Sequence, residues 1–219
     1  MDDGRLTVAI MAGGESRRMG RNKALLPVAD RPLIAWMVAL AHHLGEDVLV
    51  VARDPAPYAF LEVPIVTDRF PGVGPLAGLH AALDAAPGEW VLALACDMPF
   101  IEPRVIHYLR TLAGQEVDVV MPRVRGREEP LHALYRRATC LPAVEDAIRA
   151  GKRRVISFLP RVRVHYVPEE ALRRVTPDLR SFHNVNTPEE WARVQEEVVR
   201  HFRALLSGEE VNNSAKEAP

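Results

Sequence analysis

Glycine and basic residues are concentrated in one stretch near the amino terminus, residues 7–26, with the sequence TVAIMAGGESRRMGRNKALL. Gly13 and Gly14 end an apolar run. Because they lack a Cβ, they let backbone N–H groups come close to a ligand, as phosphate binding requires. The basic side chains that follow are Arg17, Arg18, Arg21 and Lys23. A loop at a strand end would bring all four to the same anion, so the stretch predicts a nucleotide-phosphate site.

The spacing in this stretch differs from two widespread phosphate-binding motifs. A Walker loop places lysine directly after its last glycine, whereas Lys23 lies beyond Gly20 and Asn22, and the pattern G-x-G-x-x-G is absent. Lysine is rare elsewhere, since only Lys152 and Lys216 accompany Lys23 among the 28 lysine and arginine residues. A lysine kept in the glycine-rich loop indicates a compact positive charge. The alternative is a solvated basic turn between a strand and a helix.

An aspartate follows another buried apolar run. Residues 90–95 predict a strand, and Asp97 comes just after it, before Pro99. The carboxyl ends of strands are where open α/β sheets bind ligands, so Asp97 is a candidate ligand-binding acid. The alternative is a turn or helix-capping aspartate.

A second aspartate opens a loop that is rich in turn residues. Asp68 begins this loop, which leads into a helix predicted at 76–86. Gly74 and Gly78 are one helical turn apart. They would either leave a flat face for a planar ligand or allow close packing of the helix on a strand.

The elements that position these residues follow from the apolar runs. Residues 8–11 lack alternation and predict a strand buried on both faces. Pro32 opens a helix that ends before Gly45, and strands are predicted at 48–52 and 63–66. Strand, helix and strand at this spacing imply a right-handed crossover and a parallel sheet. Later in the chain, the patterns predict helices at 105–112 and 141–150, strands at 117–122 and 162–167, and a last helix from Pro188 to about residue 206.

Composition narrows the class of protein. A chain of 219 residues that is 48% apolar can bury one sizeable core, and a net charge of −1 argues against a general nucleic-acid binder. Cys96 and Cys140 form no C-x-x-C pair and favour a reducing, cytoplasmic compartment. No apolar stretch approaches about 18 residues, so neither a signal peptide nor a membrane span is expected. We expect one domain over residues 1–206 and a disordered tail at 207–219.

Several motifs together resemble one family. The string MAGGESRRMGRNKALL is similar to L-A-G-G-x-S-x-R-M-G-x-D-K, the opening motif of the MobA-type molybdenum cofactor guanylyltransferases in the nucleotidyltransferase superfamily. Met11 replaces the usual leucine, and Asn22 stands where an acidic residue is common. Later stretches resemble further motifs in the family's order, namely DRFPGVGPLAG at 68–78, CDMPF at 96–100, PLHALY at 130–135, GKRR at 151–154 and NVNTPEE at 184–190.

The resemblance implies roles on the nucleotide side. Asp68 would accept hydrogen bonds from guanine N1–H and the exocyclic amine, whereas adenine would leave it unpaired. Asp97 would hold Mg²⁺ against the triphosphate, for which a single carboxylate is enough. The implied catalytic residues are Lys23, Arg18 and Asp97. The implied nucleotide-binding residues are Met11, Ala12, Gly13, Gly14, Lys23, Asp68, Gly74, Gly78 and Asp97. The family often has an asparagine near the end of the second strand, where this chain has Ala52 and Arg53.

The resemblance also implies an acceptor side. The implied acceptor-binding residues are His132, Tyr135, Arg153, Arg154, Asn184 and Asn186. Apart from the resemblance, arginines 123, 125 and 127 of a charged hairpin are candidates to meet a pterin phosphate, although charged hairpin tips are usually solvated turns. In NVNTPEE, the segment TPEE is explained by a helix start with Thr187 as N-cap, whereas the two asparagines are not.

The fold and reaction follow from the resemblance as expectations. It implies a three-layer α/β domain with the Rossmann-like fold of nucleotide-diphospho-sugar transferases, a mostly parallel sheet with helices on both faces. It implies GMP transfer from GTP to the terminal phosphate of molybdenum-loaded molybdopterin, with Mg²⁺ as cofactor and pyrophosphate as product. The expected partners are GTP, molybdopterin and, transiently, a protein that carries molybdopterin or matures molybdoenzymes. Nucleic acid and membranes are not expected.

Three alternatives stay open. Two keep the class of reaction: cytidylyl transfer to molybdopterin, and nucleotidyl transfer to a sugar phosphate. The glycine pair at 13–14 and the segment GPLAG at 74–78 favour guanylyl over cytidylyl transfer by resemblance. The third alternative is a non-catalytic nucleotide-binding module with a degenerate metal site, against which the presence of Asp97 argues.

Overall fold

A computed structural model describes residues 4–13 and 22–207. The predicted loop residues Gly14, Arg17, Arg18 and Arg21 lie outside these ranges. The tail predicted after residue 207 lies outside them as well.

The elements follow the chain in a β/α order. The strands are β1 (Leu6–Met11), β2 (Pro27–Val28), β3 (Arg31–Pro32), β4 (Asp47–Val51), β5 (Ile65–Val66), β6 (Trp90–Ala95), β7 (Val119–Val124), β8 (Arg127–Glu128), β9 (His132–Arg136) and β10 (Val164–Val167). The helices are α1 (Leu33–Leu44), α2 (Pro75–Ala85), α3 (Pro103–Thr111), α4 (Arg137–Arg149), α5 (Glu169–Val175) and α6 (Pro188–Ser207). Short 3-10 helices occur at Lys23–Leu25, Ala56–Tyr58, Val155–Arg161 and Arg180–Phe182.

The central sheet has the strand order β10-β7-β9-β6-β1-β4-β5, with β8 added to β7. β1 pairs in parallel with both β4 and β6, and β5 continues the parallel set beyond β4. β9 runs antiparallel to β6 on one side and to β7 on the other. The predicted mostly parallel sheet is confirmed. The carboxyl ends of β1, β4, β5 and β6 therefore lie along one edge, where such sheets bind ligands.

Helices cover both faces of this sheet. Leu6, Val8 and Ile10 of β1 belong to one apolar cluster, which also contains side chains of α1, α3, α5 and α6. Ala9 points the other way, into a second cluster with α2 and α4. The unbroken apolar run of β1 is thus buried on both sides, as predicted. The three-layer α/β fold is confirmed.

Three short elements were not predicted from the sequence. α5 has seven residues and β2 and β3 have two each, which is too short for a hydrophobic period to be recognised. The predicted charged hairpin is present between β7 and β8, and it turns at Arg125 and Gly126, both with positive φ. Among the described helices, none is both long and apolar enough to cross a membrane.

Candidate nucleotide-binding site

A cavity of about 790 Å³ lies at the carboxyl-end edge of the sheet. This volume is within the range of small-ligand sites. The predicted nucleotide-side residues in its wall are Met11, Ala12, Gly13, Lys23, Asp68, Gly74, Gly78 and Asp97. Asn186 from the predicted acceptor side is also part of the wall. The sheet therefore brings together residues that span most of the chain.

Backbone hydrogen bonds hold the end of β1 between its two neighbours. Ala12 N–H donates to Val51 O of β4 at 2.8 Å, and Cys96 N–H donates to Met11 O at 3.4 Å. Ala12 and Gly13, which follow Met11, thus lie in the cavity wall. Gly13 is exposed there, with its backbone next to Arg53.

Lys23, Asp97 and Asn186 form a polar cluster in the cavity wall. The Lys23 ammonium donates to Asp97 Oδ2 at 3.1 Å and to Asn186 Oδ1 at 2.8 Å. Both the lysine and the aspartate are largely shielded, with side chains 14% and 28% exposed. Partial burial makes this charge pairing stronger than it would be at an open surface. The Asp97 carboxylate and the Asn186 amide oxygen therefore both accept hydrogen bonds from the Lys23 ammonium.

Two local devices place Asn186 at this cluster. Val185 N–H donates to Asp97 O at 2.8 Å, which joins the segment before α6 to the end of β6. At the start of α6, Glu190 N–H donates to Thr187 Oγ1 at 3.1 Å, while Glu190 Oε2 accepts from the N–H groups of Thr187 and Asn186. This is the capping-box arrangement, and it confirms Thr187 as the helix cap. The Asn186 N–H bond is the main cause of the lowered pKa of Glu190.

Asp68 lies on the opposite part of the wall, beyond the end of β5. Its Oδ1 atom is buried and has no hydrogen-bond partner among the described residues. A buried carboxylate oxygen without a donor is costly, and such atoms call for a ligand or water. The loop after it is held by Phe70, whose ring packs edge-on against His80 of α2 at a centroid distance of 4.9 Å.

Glycine occurs at two positions after Asp68, Gly74 and Gly78, for different structural reasons. Gly74 precedes α2 with φ of +89°, a conformation that L-residues rarely adopt. Gly78 lies inside α2, where a Cβ would come within 2.9 Å of Met11 Cε and 3.8 Å of Val51 Cγ1. Close packing of the helix on β1 and β4, one of the two alternatives, therefore accounts for Gly78. Both glycines also line the cavity.

The thiol in the cavity wall is unsuited to nucleophilic attack. Burial raises the pKa of Cys96 to about 12, and the Asp97 charge adds to the shift. At neutral pH this thiol stays protonated, and the thiolate is the nucleophilic form. Cys96 and Cys140 are both free in the structure. The site therefore offers positioning and electrostatic groups rather than a covalent catalyst.

A carboxyl at the base of the charged hairpin lies close enough to Asp97 to interact with its charge. Burial raises the pKa of Glu129 to about 7, Asp97 contributes to the rise, and Arg125 and Arg127 oppose it. Arg123 is engaged elsewhere, since it pairs with Glu128 at 3.0 Å and stacks on Tyr166 at 3.7 Å. Arg125 and Arg127 of the hairpin are exposed, and their charges act on the carboxyl of Glu129.

The predicted acceptor residues do not assemble as a group. His132 and Tyr135 are both fully buried in β9, where His132 Nε2 contacts Ser181 Oγ at 3.2 Å and the Tyr135 hydroxyl donates to Pro130 O at 2.7 Å. Their expected contact with an acceptor is therefore corrected: β9 is covered on both faces, and these side chains are core. Asn184 is half-buried beside Val185, whereas Arg153 and Arg154 are exposed just before the 3-10 helix at Val155–Arg161.

Several wall residues were not among the predicted site residues. Asn22, Arg53, Thr67 and Leu131 line the cavity. Asn22 caps the 3-10 helix Lys23–Leu25 by accepting from Ala24 N–H at 3.1 Å. An asparagine directly before a helical turn is a recognisable capping signal, so its local role was readable from the sequence. Arg53, Thr67 and Leu131 show no comparable signal in the sequence.

The end of β1, the Lys23 cluster and Asp68, whose buried Oδ1 has no partner among the described residues, thus surround one cavity of about 790 Å³. Together with the fold, this arrangement defines the protein as an α/β nucleotidyltransferase.

Comparison with known proteins identifies the family. The chain belongs to the family described as the MobA-like NTP transferase domain, whose model matches residues 8–164. A protein of Carboxydothermus hydrogenoformans named probable molybdenum cofactor guanylyltransferase is 38% identical over 86% of this chain and 94% of its own length. A protein of Pelotomaculum thermopropionicum with the same name is 40% identical over 91% and 98%. The crystal structure of molybdopterin-guanine dinucleotide biosynthesis protein A from Archaeoglobus fulgidus superposes with a TM-score of 0.75 at 32% identity, covering 89% of this chain and 99% of that one.

Proposed function

We propose that this protein transfers GMP from GTP to the terminal phosphate of molybdenum-loaded molybdopterin, which gives the guanine dinucleotide form of the cofactor. An oxygen of the acceptor phosphate attacks the α-phosphorus of GTP. The bond between the α- and β-phosphates breaks, and pyrophosphate leaves. Membership of the MobA-like family and the names of the relatives support this reaction. We place it in the cytoplasm, which two free cysteines favour.

The observation that carries the nucleotide assignment is the unpartnered Oδ1 of Asp68 in the same cavity as the Lys23 cluster. Guanine presents two adjacent donors, N1–H and the exocyclic amine, to such a carboxylate. Cytosine and adenine present different patterns that leave part of the carboxylate unpaired. We therefore assign Asp68 to base selection.

Lys23 is proposed to stabilise the charge that develops on the triphosphate. Its ammonium is held by Asp97 and Asn186, and its side chain is largely shielded from bulk water, which supports this role. A fixed positive charge in a shielded site lowers the barrier without needing a proton transfer. The N–H groups of the loop after Met11 and the side chain of Arg18 are proposed to share this role.

The donor set at this cluster suits magnesium. Asp97 and Asn186 supply two hard oxygen atoms that already lie within 3.1 Å of one cationic nitrogen. No group of three or more His, Cys, Asp or Glu side chains in the described parts of the chain is arranged to hold a metal. One carboxylate and one amide, completed by phosphate oxygens and water, is a usual environment for Mg²⁺. Bound there, Mg²⁺ would neutralise phosphate charge and orient the triphosphate.

For the acceptor side we propose the exposed arginines 125 and 127, together with Asn184 and Asn186. The interaction of Glu129 with both arginines and with Asp97 supports this placement. Two guanidinium groups near the attacking position would bind the acceptor phosphate. A protein that delivers or receives the cofactor is proposed as a transient partner, whereas nucleic acid and membranes are not.

A turnover experiment tests the proposal. The purified protein is incubated with Mg²⁺, molybdenum-loaded molybdopterin and either GTP, CTP or ATP, and pyrophosphate and dinucleotide products are quantified. The proposal expects acceptor-dependent pyrophosphate release with GTP only. Faster product formation with CTP than with GTP would assign the reaction to cytidylyl transfer, equal rates would refute guanine selectivity, and no turnover with any nucleotide would favour a binding module.

A further inference from the structure

Tyr58 connects the end of β1 with the start of the turn that carries Lys23. It ends the short 3-10 helix Ala56–Tyr58 and is 2% exposed. Its hydroxyl donates to Ala12 O at 3.3 Å and accepts from Asn22 Nδ2 at 2.8 Å. Ala12 follows β1, and Asn22 immediately precedes Lys23. One phenol oxygen thus links Ala12, just after β1, to Asn22, just before the Lys23 turn.

The direction of this hydrogen-bond chain is set by the backbone. Ala24 N–H donates to Asn22 Oδ1, so the other end of that amide, Nδ2, faces Tyr58. The Tyr58 oxygen therefore receives a hydrogen from Asn22, and its own proton is directed to Ala12 O. Burial also raises the pKa of the Tyr58 hydroxyl, which keeps that proton in place at neutral pH.

The bridge adjoins the turn that carries the Lys23 ammonium. Asn22 caps the turn that begins with Lys23, and Lys23 reaches Asp97 and Asn186 from that turn. We propose that Tyr58 is a positioning residue, which joins the end of β1 to the Lys23 turn and so holds Lys23 against Asp97 and Asn186. Its effect on turnover rests on the proposed function, whereas the bridge itself does not.

The asparagine at position 22 has a chemical consequence for this bridge. An aspartate there would still accept from Ala24 N–H, but it has no hydrogen to donate to Tyr58. The single phenol proton would then go either to the carboxylate or to Ala12 O, not to both. Asparagine allows both links at once. Asn22→Asp is therefore a variant that keeps the cap and removes one link.

The main test variant is Tyr58→Phe, which keeps the buried ring and removes only the hydroxyl. Hydrogen-exchange mass spectrometry of the peptide at 22–28 is expected to show about tenfold faster exchange, because the Lys23 turn loses its anchor. GMP transfer is expected to fall about tenfold in kcat, with a smaller change in the KM for GTP. Tyr108→Phe, which removes a phenol hydroxyl from α3 outside the cavity wall, is the matched control and should change neither.

A double-mutant cycle separates positioning from general stability. Asn22 is exposed, so Asn22→Ala leaves the core intact and serves as a second, independent variant. If the two residues act through one bridge, Asn22→Ala combined with Tyr58→Phe loses no more than the larger single change. Losses that multiply would overturn the proposal, as would unchanged exchange at 22–28 in Tyr58→Phe. Faster exchange in a protein whose wild type does not transfer GMP would support the bridge while refuting the proposed function.

Discussion

β1 and β9 meet the candidate site at opposite ends. β1 runs towards the cavity and delivers Met11, Ala12 and Gly13 at and beyond its carboxyl end. β9 runs antiparallel to the neighbouring β6, so its amino end lies at the cavity and only Leu131, the residue before the strand, reaches the wall. A strand covered by helices on both faces offers a ligand only the residues just beyond one end. Strand direction decides which end that is.

The proposed nucleotide side and the proposed acceptor side of the site also differ in how their residues are attached to the sheet. On the proposed nucleotide side, at the ends of β1, β5 and β6, the candidate groups follow directly after strands. On the proposed acceptor side, at the hairpin 123–128 and the segment 184–186, the candidate groups come from a turn and from a chain segment attached by Val185 to Asp97. The nucleotide side is therefore part of the sheet edge itself, whereas the acceptor side is built onto it.

The largest expected effect comes from Asp97→Asn on the nucleotide side. Removing the Asp97 carboxylate, which accepts a hydrogen bond from Lys23, should lower turnover about a hundredfold or more, with GTP still bound. Steady-state pyrophosphate release and calorimetric GTP binding measure the two quantities. Asp146→Asn on α4 is a matched control that should keep full turnover. Full activity of Asp97→Asn would remove Asp97 from the proposed mechanism.

Asp68→Asn should weaken GTP binding about fiftyfold, because hydrogen bonds to a shielded carboxylate are among the stronger ones. Binding of CTP should change far less, so the selectivity between the two nucleotides is the informative ratio. Competition binding with both nucleotides measures it. An equal loss for GTP and CTP would mean that Asp68 shapes the loop rather than reads the base.

The end of β7 that lies away from the hairpin gives a stability prediction with a defined pH range. Hydrogen bonds from Arg163 lower the pKa of Asp118 from 3.8 to about 2, and these bonds join β7 to the segment before β10. The stabilisation is therefore present above about pH 4 and is lost as the pH falls towards 2, amounting to about 2 kcal/mol. Urea unfolding between pH 2 and 6 should show this decline in the wild type and less of it in Asp118→Asn. If the free energy of unfolding fell equally with pH in the wild type and in Asp118→Asn, the decline would belong to other titrating groups.

The smallest expected effect concerns Tyr135, whose burial in β9 contradicts its predicted contact with an acceptor. Tyr135→Phe removes one buried hydrogen bond, to Pro130 O, and should cost about 1 kcal/mol in the free energy of unfolding. The KM for the acceptor should stay unchanged, because this side chain is core. Thermal unfolding and acceptor titration of the same variant give both values. A severalfold rise in that KM at unchanged stability would return Tyr135 to the acceptor side.

Much of the nucleotide side was predictable because its signals are local. The run at 8–11, the glycines after it and Asp97 after β6 each follow from a few neighbouring residues, and the strand ends then bring them together. Lys23 and Asn186 are 163 residues apart, and only the family resemblance related them before the structure was known. The bridge through Tyr58 left no trace in the sequence, since 36 residues separate it from Asn22.

The errors on the acceptor side have one physical cause. The segment PLHALY matches a family motif, but a motif does not say which of its side chains face a ligand. The direction of β9 and its cover on both faces decide that, and these depend on the pairing of β9 with β6 and β7. Pairing between distant segments is a property of the whole fold, which a local pattern does not contain.

The central claim is that the cavity is a guanine-selective nucleotide site. Isothermal titration calorimetry of the wild-type protein with GTP, CTP and ATP, each in the presence of Mg²⁺, tests it most directly. The account predicts binding of GTP at least tenfold tighter than that of either other nucleotide. Tighter binding of CTP, or equal binding of all three, would contradict it and leave only the fold and the phosphate-binding part of the site.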